Sequence, residues 1–80
     1  MTGAPPALTI DATGQLCPLP IIELARRIGE VAVGDVIAVV ADDAAAAADV
    51  PAWCRMRGHD YLGPVVTPGS VPAYLVRRSH

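Results

Sequence analysis

The chain contains no phenylalanine and no lysine, and only two of its 80 residues are cysteine. With aromatic residues limited to Trp53, Tyr61 and Tyr74, a core must be assembled from valine, isoleucine, leucine and alanine. All positive charge rests on six arginines, grouped as Arg26-Arg27, Arg55 with Arg57, and Arg77-Arg78, against eight acids and a formal net charge of −2. That balance excludes the dense basic face of an autonomous nucleic-acid binder. The arginine pairs read as solvated surface; their functional alternative is an acidic patch on a protein partner, where forked guanidinium donors suit carboxylates. Two cysteines are too few for a disulfide-stapled secreted scaffold, and a reducing compartment would hold both Cys17 and Cys54 as thiols.

Long apolar runs are also missing. Nothing approaches the ~20 residues of a membrane span, and the stretch 31–41 is broken by Gly34-Asp35. Residues 1–6 lack the basic start and apolar run of a signal peptide and read as a disordered leader, with 7–80 forming a single domain. Together these readings place the chain in the cytoplasm, away from membranes. What is present is a composition 52% hydrophobic and 18% charged, which favours a folded globule over a disordered tail. A chain of this length buries only about 60% of its unfolded surface, so the core is thin.

Residues 7–11 form a short apolar run closed by an acid and followed by the turn-prone Thr13-Gly14, which predicts a first strand and a loop. From Pro18, the apolar positions Ile21, Leu24, Ala25 and Ile28 follow the spacing of one helical face, and the helix should end near Gly29. After the Gly34-Asp35 turn, 36–41 is a continuous, mostly β-branched apolar run without polar alternation, which suits an interior strand. Strand, helix and strand make a βαβ unit with a right-handed crossover.

Asp43 is expected to open a short turn, with the main second helix having Asp49 near its cap, Pro51 in its first turn and Gly58 at its stop. Val50, Trp53 and Cys54 share a face of that helix, which makes Cys54 a packing residue. Residues 59–67 and 71–78 are β-rich runs separated by Pro68-Gly69-Ser70, a hairpin signature. Pro64, Pro68 and Pro72 cannot donate to a ladder and belong at edges, bulges or strand ends. The expected fold is an α/β (α+β) two-layer sandwich of order βαβαββ, a four-stranded mixed sheet with two helices on one face.

The candidate chemical centre is Cys17, set just before Pro18-Leu19-Pro20. Proline in the first turn of a helix is pre-set for helical φ and gives up only an N–H without an intrahelical partner. A thiol at that terminus feels the positive end of the helix dipole and the free N–H groups of Leu19 and Ile21, which favour thiolate. The thiolate is the reactive form, so a lowered pKa raises reactivity near neutrality. Local geometry alone leaves this reactive reading and a buried packing thiol equally open. Asp11 reads as structural, accepting N–H bonds from the Thr13-Gly14 turn, because a carboxylate beside Cys17 would oppose its ionisation. His59 reads as a polar residue at a strand start rather than a pH-responsive group. A zinc site from Cys17, Cys54, His59 and His80 lacks ligand-pair spacing and is rejected.

Asp11, Gly14 and Cys17-Pro18-Leu19-Pro20, followed in order by Gly34-Asp35, Ala41-Asp42-Asp43, and Asp49-Val50-Pro51 with Trp53-Cys54, resemble the TusA/SirA family of small sulfur-carrier proteins from about residue 8 to 78. The resemblance implies the same βαβαββ sandwich and matches Cys17 to the persulfide-carrying cysteine, with Asp11, Gly14, Pro18, Leu19 and Pro20 shaping its site. It implies a relay in which Cys17 takes sulfur from a cysteine desulfurase or rhodanese-like donor and passes it to a thiol-bearing acceptor protein, serving tRNA thiolation, cofactor synthesis or sulfur metabolism. No metal or organic cofactor is required.

Leu19 departs from the acidic residue of the best-known members, which makes the rim more apolar and bears on partner choice. Two other readings stand beside the relay. One is a regulatory or interaction module of the same fold in which Cys17 is dispensable. The other is a thiol redox sensor with Cys54 as resolving thiol, which the expected burial of Cys54 opposes.

Overall fold

The computed structural model describes residues 5–16 and 18–80. The elements run β1 (Leu8–Asp11), α1 (Leu19–Arg27), a 3-10 turn (Ile28–Glu30), β2 (Val36–Val40), α2 (Ala46–Arg57), β3 (Asp60–Val66) and β4 (Pro72–Arg77). They build the expected α+β architecture, with the four-stranded sheet in the order β1-β2-β4-β3. β1 and β2 pair in parallel, and the other two pairings are antiparallel.

The β-branched run of β2 lies inside the sheet between β1 and β4, with Ile37, Ala38 and Val39 all buried. This follows from its lack of alternation, since an interior strand exposes little of either side. Strand register then sets the core in rows. Leu8, Ile37, Val76 and Tyr61 align across the sheet, as do Ile10, Val39 and Tyr74. Against these rows pack Leu24 of α1 and Val50, Trp53 and Cys54 of α2. Burying a side chain of leucine size stabilises by about 1.5–3 kcal/mol, so a few such residues account for most of what holds so small a sheet and its helices together.

The apolar face of α1 is the expected one: Leu24 is buried, and Ile21, Ala25 and Ile28 pack against the core. Its opposite face carries exposed ion pairs, Arg26 with Glu23 at 3.1 Å and Arg27 with Glu30 at 3.2 Å. Pairs of this kind contribute about 0.3–0.5 kcal/mol each, so the buried face decides the helix's position. The helix proper stops at Arg27 and tightens into the 3-10 turn through Glu30.

The second helix differs from the expectation. It begins at Ala46, three residues before Asp49, and passes through Pro51 instead of starting there. The turn after Asp43 is present: Ala45 N–H donates to Asp43 Oδ1 at 3.0 Å and Ala46 N–H to Asp43 C=O at 3.0 Å. Alanine propagates a helix readily once it is nucleated, and Ala46 and Val50, one turn apart, are both fully buried. Core contact and propensity together outweigh the single intrahelical bond that Pro51 gives up. Gly58 ends the helix in the left-handed conformation, φ +78°, its N–H bonded to Cys54 C=O at 2.8 Å.

The hairpin forms as expected, with 67–71 connecting β3 and β4. Thr67 closes it through Oγ1 to Val71 C=O at 2.6 Å. Pro64 sits in the edge strand β3, Pro68 in the connection, and Pro72 at the first position of β4. A bulge between Tyr61 and Gly63 uses the positive φ of Gly63, +102°. At the far end of the hairpin Arg77 and Asp60, facing each other in register, form an ion pair at 2.8 Å.

Candidate functional site

The parallel pairing of β1 and β2 brings the loops that follow both strands to one edge of the molecule. Ala12 N–H donates to Val40 C=O at 2.7 Å and carries the ladder one residue past β1, burying Ala12 completely. The chain then turns at Thr13-Gly14. Asp11 Oδ1 accepts the Thr13 N–H at 3.0 Å. Bonds from the Thr13 hydroxyl and backbone hold the Asp11 carboxyl below the usual carboxylate range.

The expectation that Asp11 also takes the Gly14 N–H needs correction. That N–H donates to Asp42 Oδ1 at 2.9 Å, joining the loop after β1 to the loop after β2. Gly14 has φ +82°, a backbone conformation that a side chain would strain. Gln15 N–H closes the turn on Ala12 C=O at 3.0 Å.

Cys17, the residue on which the sequence reading centres, lies outside the described residues, and its described neighbours define the setting. Pro18 caps α1 and is exposed, while Pro20, in the first turn, is buried. The first helical bond runs from Ile22 N–H to Pro18 C=O at 2.9 Å. The Leu19 N–H, expected to be free, donates to Leu16 C=O at 2.9 Å, because the turn ahead of the helix uses it. The first turn of α1 contains no acid and its last turn carries Arg26 and Arg27, so no like charge within that turn opposes an anion at its N-terminus. Around this terminus Leu16, Leu19 and Ile22 are 73%, 52% and 48% exposed, an apolar rim on an otherwise polar edge.

Cys54 is not part of this rim. It is 1% exposed on the core side of α2, and burial, aided by the Asp60 charge and opposed by Arg55, pushes its thiol up to about 11. A buried, protonated thiol is a poor nucleophile and a poor resolving partner.

Two features were not read from the sequence. The Asp42 tie to Gly14 joins residues 28 positions apart, a pairing that only the parallel strands create. At the opposite end of the helices, His59 stacks between Trp53 (centroids 5.4 Å apart) and His80 (4.6 Å). The spacing of Trp53 and His59 around the Gly58 stop is the only sequence signal for that stack.

The family model described as Sulfurtransferase TusA matches residues 8–78. Sulfur carrier protein TusA of Pseudomonas entomophila (strain L48) is 37% identical over 70 residues, covering 88% of this chain and 86% of that protein. YrkF of Bacillus subtilis (strain 168) is 38% identical over 71 residues, which cover 89% of this chain and 38% of the longer relative. The fold is also that of the crystal structure of a SirA-like protein from Desulfitobacterium hafniense, with a TM-score of 0.77, 23% identity, and coverage of 91% of this chain and 99% of that one. The chain belongs to the TusA sulfurtransferase family.

No helix among the described residues is long and apolar enough to cross a membrane.

Proposed function

We propose that this chain is a sulfur carrier in which Cys17 holds the travelling sulfur as a persulfide. The observation that supports this most directly is that α1 opens with Pro18-Leu19-Pro20 immediately after residue 17, in a chain matching the TusA family over residues 8–78. In the first step the Cys17 thiolate attacks the outer sulfur of a donor persulfide. A bond forms between Cys17 Sγ and that sulfur, and the bond to the donor's own sulfur breaks. The donor thiolate leaves with the electron pair, and the proton stays on the transferred sulfur. The second step is the same exchange, with an acceptor thiolate as nucleophile and Cys17 as leaving group. Neither step changes the net oxidation state, so no external oxidant is needed.

The rest of the site serves presentation. Pro18 and Pro20 stiffen the helix start, while Asp11 and Asp42 pin the loop around Gly14, which limits the ordering lost when a partner docks. The exposed Leu16, Leu19 and Ile22 give that partner an apolar rim to cover. The donor fitting this chemistry is a cysteine desulfurase or rhodanese-like protein, and the acceptor is a protein thiol in tRNA thiolation, cofactor synthesis or sulfur metabolism.

Incubating the protein with a desulfurase and free cysteine tests the reading by intact-mass measurement. The expected result is a gain of one sulfur atom that disappears in Cys17→Ser and persists in Cys54→Ala. A wild-type chain left unloaded by both desulfurase and rhodanese donors overturns it, and retained partner binding by Cys17→Ala would then identify a docking module.

A further inference from the structure

Residues 78–80, which follow β4, fold back over the end of α2. Their anchor is Arg78. Its C=O accepts the Gly34 N–H at 2.7 Å, its N–H donates to Asp35 C=O at 2.9 Å, and its Nη1 donates to Val31 C=O at 2.6 Å. None of these bonds depends on a group that changes charge between about pH 5 and 8.

Beyond Arg78 the hold is of another kind. The Ser79 N–H donates to His59 Nδ1 at 3.1 Å. A backbone N–H can only donate, so that nitrogen keeps its lone pair and the ring is the neutral tautomer with its proton on Nε2. The His80 ring stacks on His59 with centroids 4.6 Å apart, and His59 stacks on Trp53 at 5.4 Å. His80 Nε2 lies 2.8 Å from Arg57 C=O, a bond in which it donates. The two imidazoles therefore differ. A proton added to His80 at Nδ1 leaves its bond intact, whereas a proton added to His59 at Nδ1 sets two N–H groups against each other and breaks the bond to Ser79.

The charged groups around His59 come from three segments. α2 supplies Arg57, β3 supplies Asp60, and the residues after β4 supply Arg78, the His80 ring and the carboxylate that ends the chain. Ala25 and Ile28, neighbours in the adjoining cleft, carry no charge. Both negative groups are already engaged, Asp60 by Arg77 at 2.8 Å and by the Ser79 hydroxyl, the carboxylate by Arg78 at 2.9 Å. An imidazolium at His59 thus meets two guanidinium groups and, where His80 is also charged, a second imidazolium stacked on it. Burial first, then His80, Arg78 and Arg57, hold the His59 pKa below the ordinary histidine value, with Asp60 opposing. On its other side the Trp53 indole favours a cation over its face. A charged His59 therefore keeps its place on Trp53 and loses its hold on Ser79.

We propose that residues 79–80 form a proton-operated clasp: neutral His59 holds them against the end of α2, and charged His59 releases them in mild acid, with Arg78 as the fixed hinge. The other ties of the segment run from the Ser79 hydroxyl to Asp60, from Arg78 Nε to the His80 carboxylate, and from the His80 ring to Arg57 C=O. All are exposed, and each such bond contributes little net stability. Losing the Ser79–His59 bond and adding a like charge shifts so small a balance. The clasp draws on no residue of the loop around Cys17, so its fate and that of the carrier reading are decided separately.

Amide exchange and relaxation measured by NMR on the full chain, from about pH 7.5 down to about pH 5, test the proposal. The Ser79 amide should lose about three- to tenfold in protection relative to its intrinsic exchange rate. Its heteronuclear NOE should fall toward that of a free chain end, with a midpoint matching the titration of the His59 ring. Tyr74 and Val76, in the sheet, should stay protected, which separates local release from unfolding. His59→Gln stays neutral and should keep Ser79 equally ordered across the range. His59→Phe keeps a ring on Trp53 but offers no acceptor, and should leave residues 79–80 loose even at about pH 7.5.

A Ser79 amide that stays ordered once His59 has charged overturns the proposal, as does a ring still neutral at about pH 5. So does loosening that persists in His59→Gln, loosening shared by Tyr74 and Val76, or a His59→Phe chain end as ordered as the wild type.

Discussion

Gly14 donates its backbone N–H to the Asp42 carboxylate at 2.9 Å, so the loop that leads from β1 to α1 is fixed by a residue from the far side of the βαβ crossover. The parallel register places Asp11 beside Val40, two residues short of Asp42, which makes the tie short enough to hold. Losing this exposed bond should lower stability by only about 0.5–1.5 kcal/mol, the ordinary scale of one hydrogen bond.

Its removal should nevertheless be felt in sulfur transfer. Asp42→Ala is expected to slow loading of Cys17 by about three- to tenfold, the scale of a small misplacement of a reacting group. Asp42→Asn keeps an oxygen acceptor and should recover most of the rate. The check is a time course of persulfide formation by intact mass, set beside thermal unfolding. An Asp42→Ala loading rate equal to wild type would show that the tie serves the fold alone.

Cys54 supplies a test of differential thiol reactivity. With its thiol pushed up to about 11, only about one molecule in a thousand carries the thiolate near pH 8. Iodoacetamide should therefore modify one site in the native protein, mapping to Cys17, and reach Cys54 only in denaturant. Peptide mapping of briefly alkylated protein checks this. Comparable labelling of both thiols would mean that α2 opens readily.

His59 links stability to pH with a defined sign. Its folded pKa lies below the ordinary 6.5, first because of burial and then because of His80, Arg78 and Arg57, with Asp60 opposing. Between the two values the unfolded chain binds more protons, so the contribution is complete above about pH 6.5 and is lost as pH falls through the folded value. The urea midpoint should decline as pH is lowered from 7 toward 5, and His59→Gln should flatten that decline. The His59 ring proton should titrate by NMR below 6.5, and a midpoint above that value would reverse the sign.

Gly58 ends α2 at φ +78°, and a Cβ added there would lie 3.4 Å from His80 Nε2. Gly58→Ala should cost about 1 kcal/mol or somewhat more, through left-handed strain with little room for relief. Gly58→Asn should cost less, because asparagine tolerates that region. Urea denaturation of the two variants gives the order directly.

Most of the fold was legible because hydrophobic periodicity and turn chemistry agreed. The unbroken run of β2 marked an interior strand, the spacing from Ile21 to Ile28 marked the buried face of α1, and Pro68-Gly69-Ser70 marked the hairpin. The start of α2 was not legible. Pro51 is a strong local signal, but burial of Ala46 and Val50 outweighs it, and that burial depends on the assembled sheet. The partner of Gly14 and the stack of His59 on Trp53 and His80 were hidden for the same reason, since each joins segments that only the tertiary fold brings together. The motif around Cys17 could be read from a handful of consecutive residues because a proline-opened helix is a local device.

The edge strand β3 has one more consequence. Pro64 offers no N–H, and the bulge between Tyr61 and Gly63 interrupts the regular spacing of backbone groups along the sheet's margin. At the other margin β1 is only four residues long. Neither border makes a good template for a neighbour's backbone, so both margins of the sheet resist the addition of a further strand.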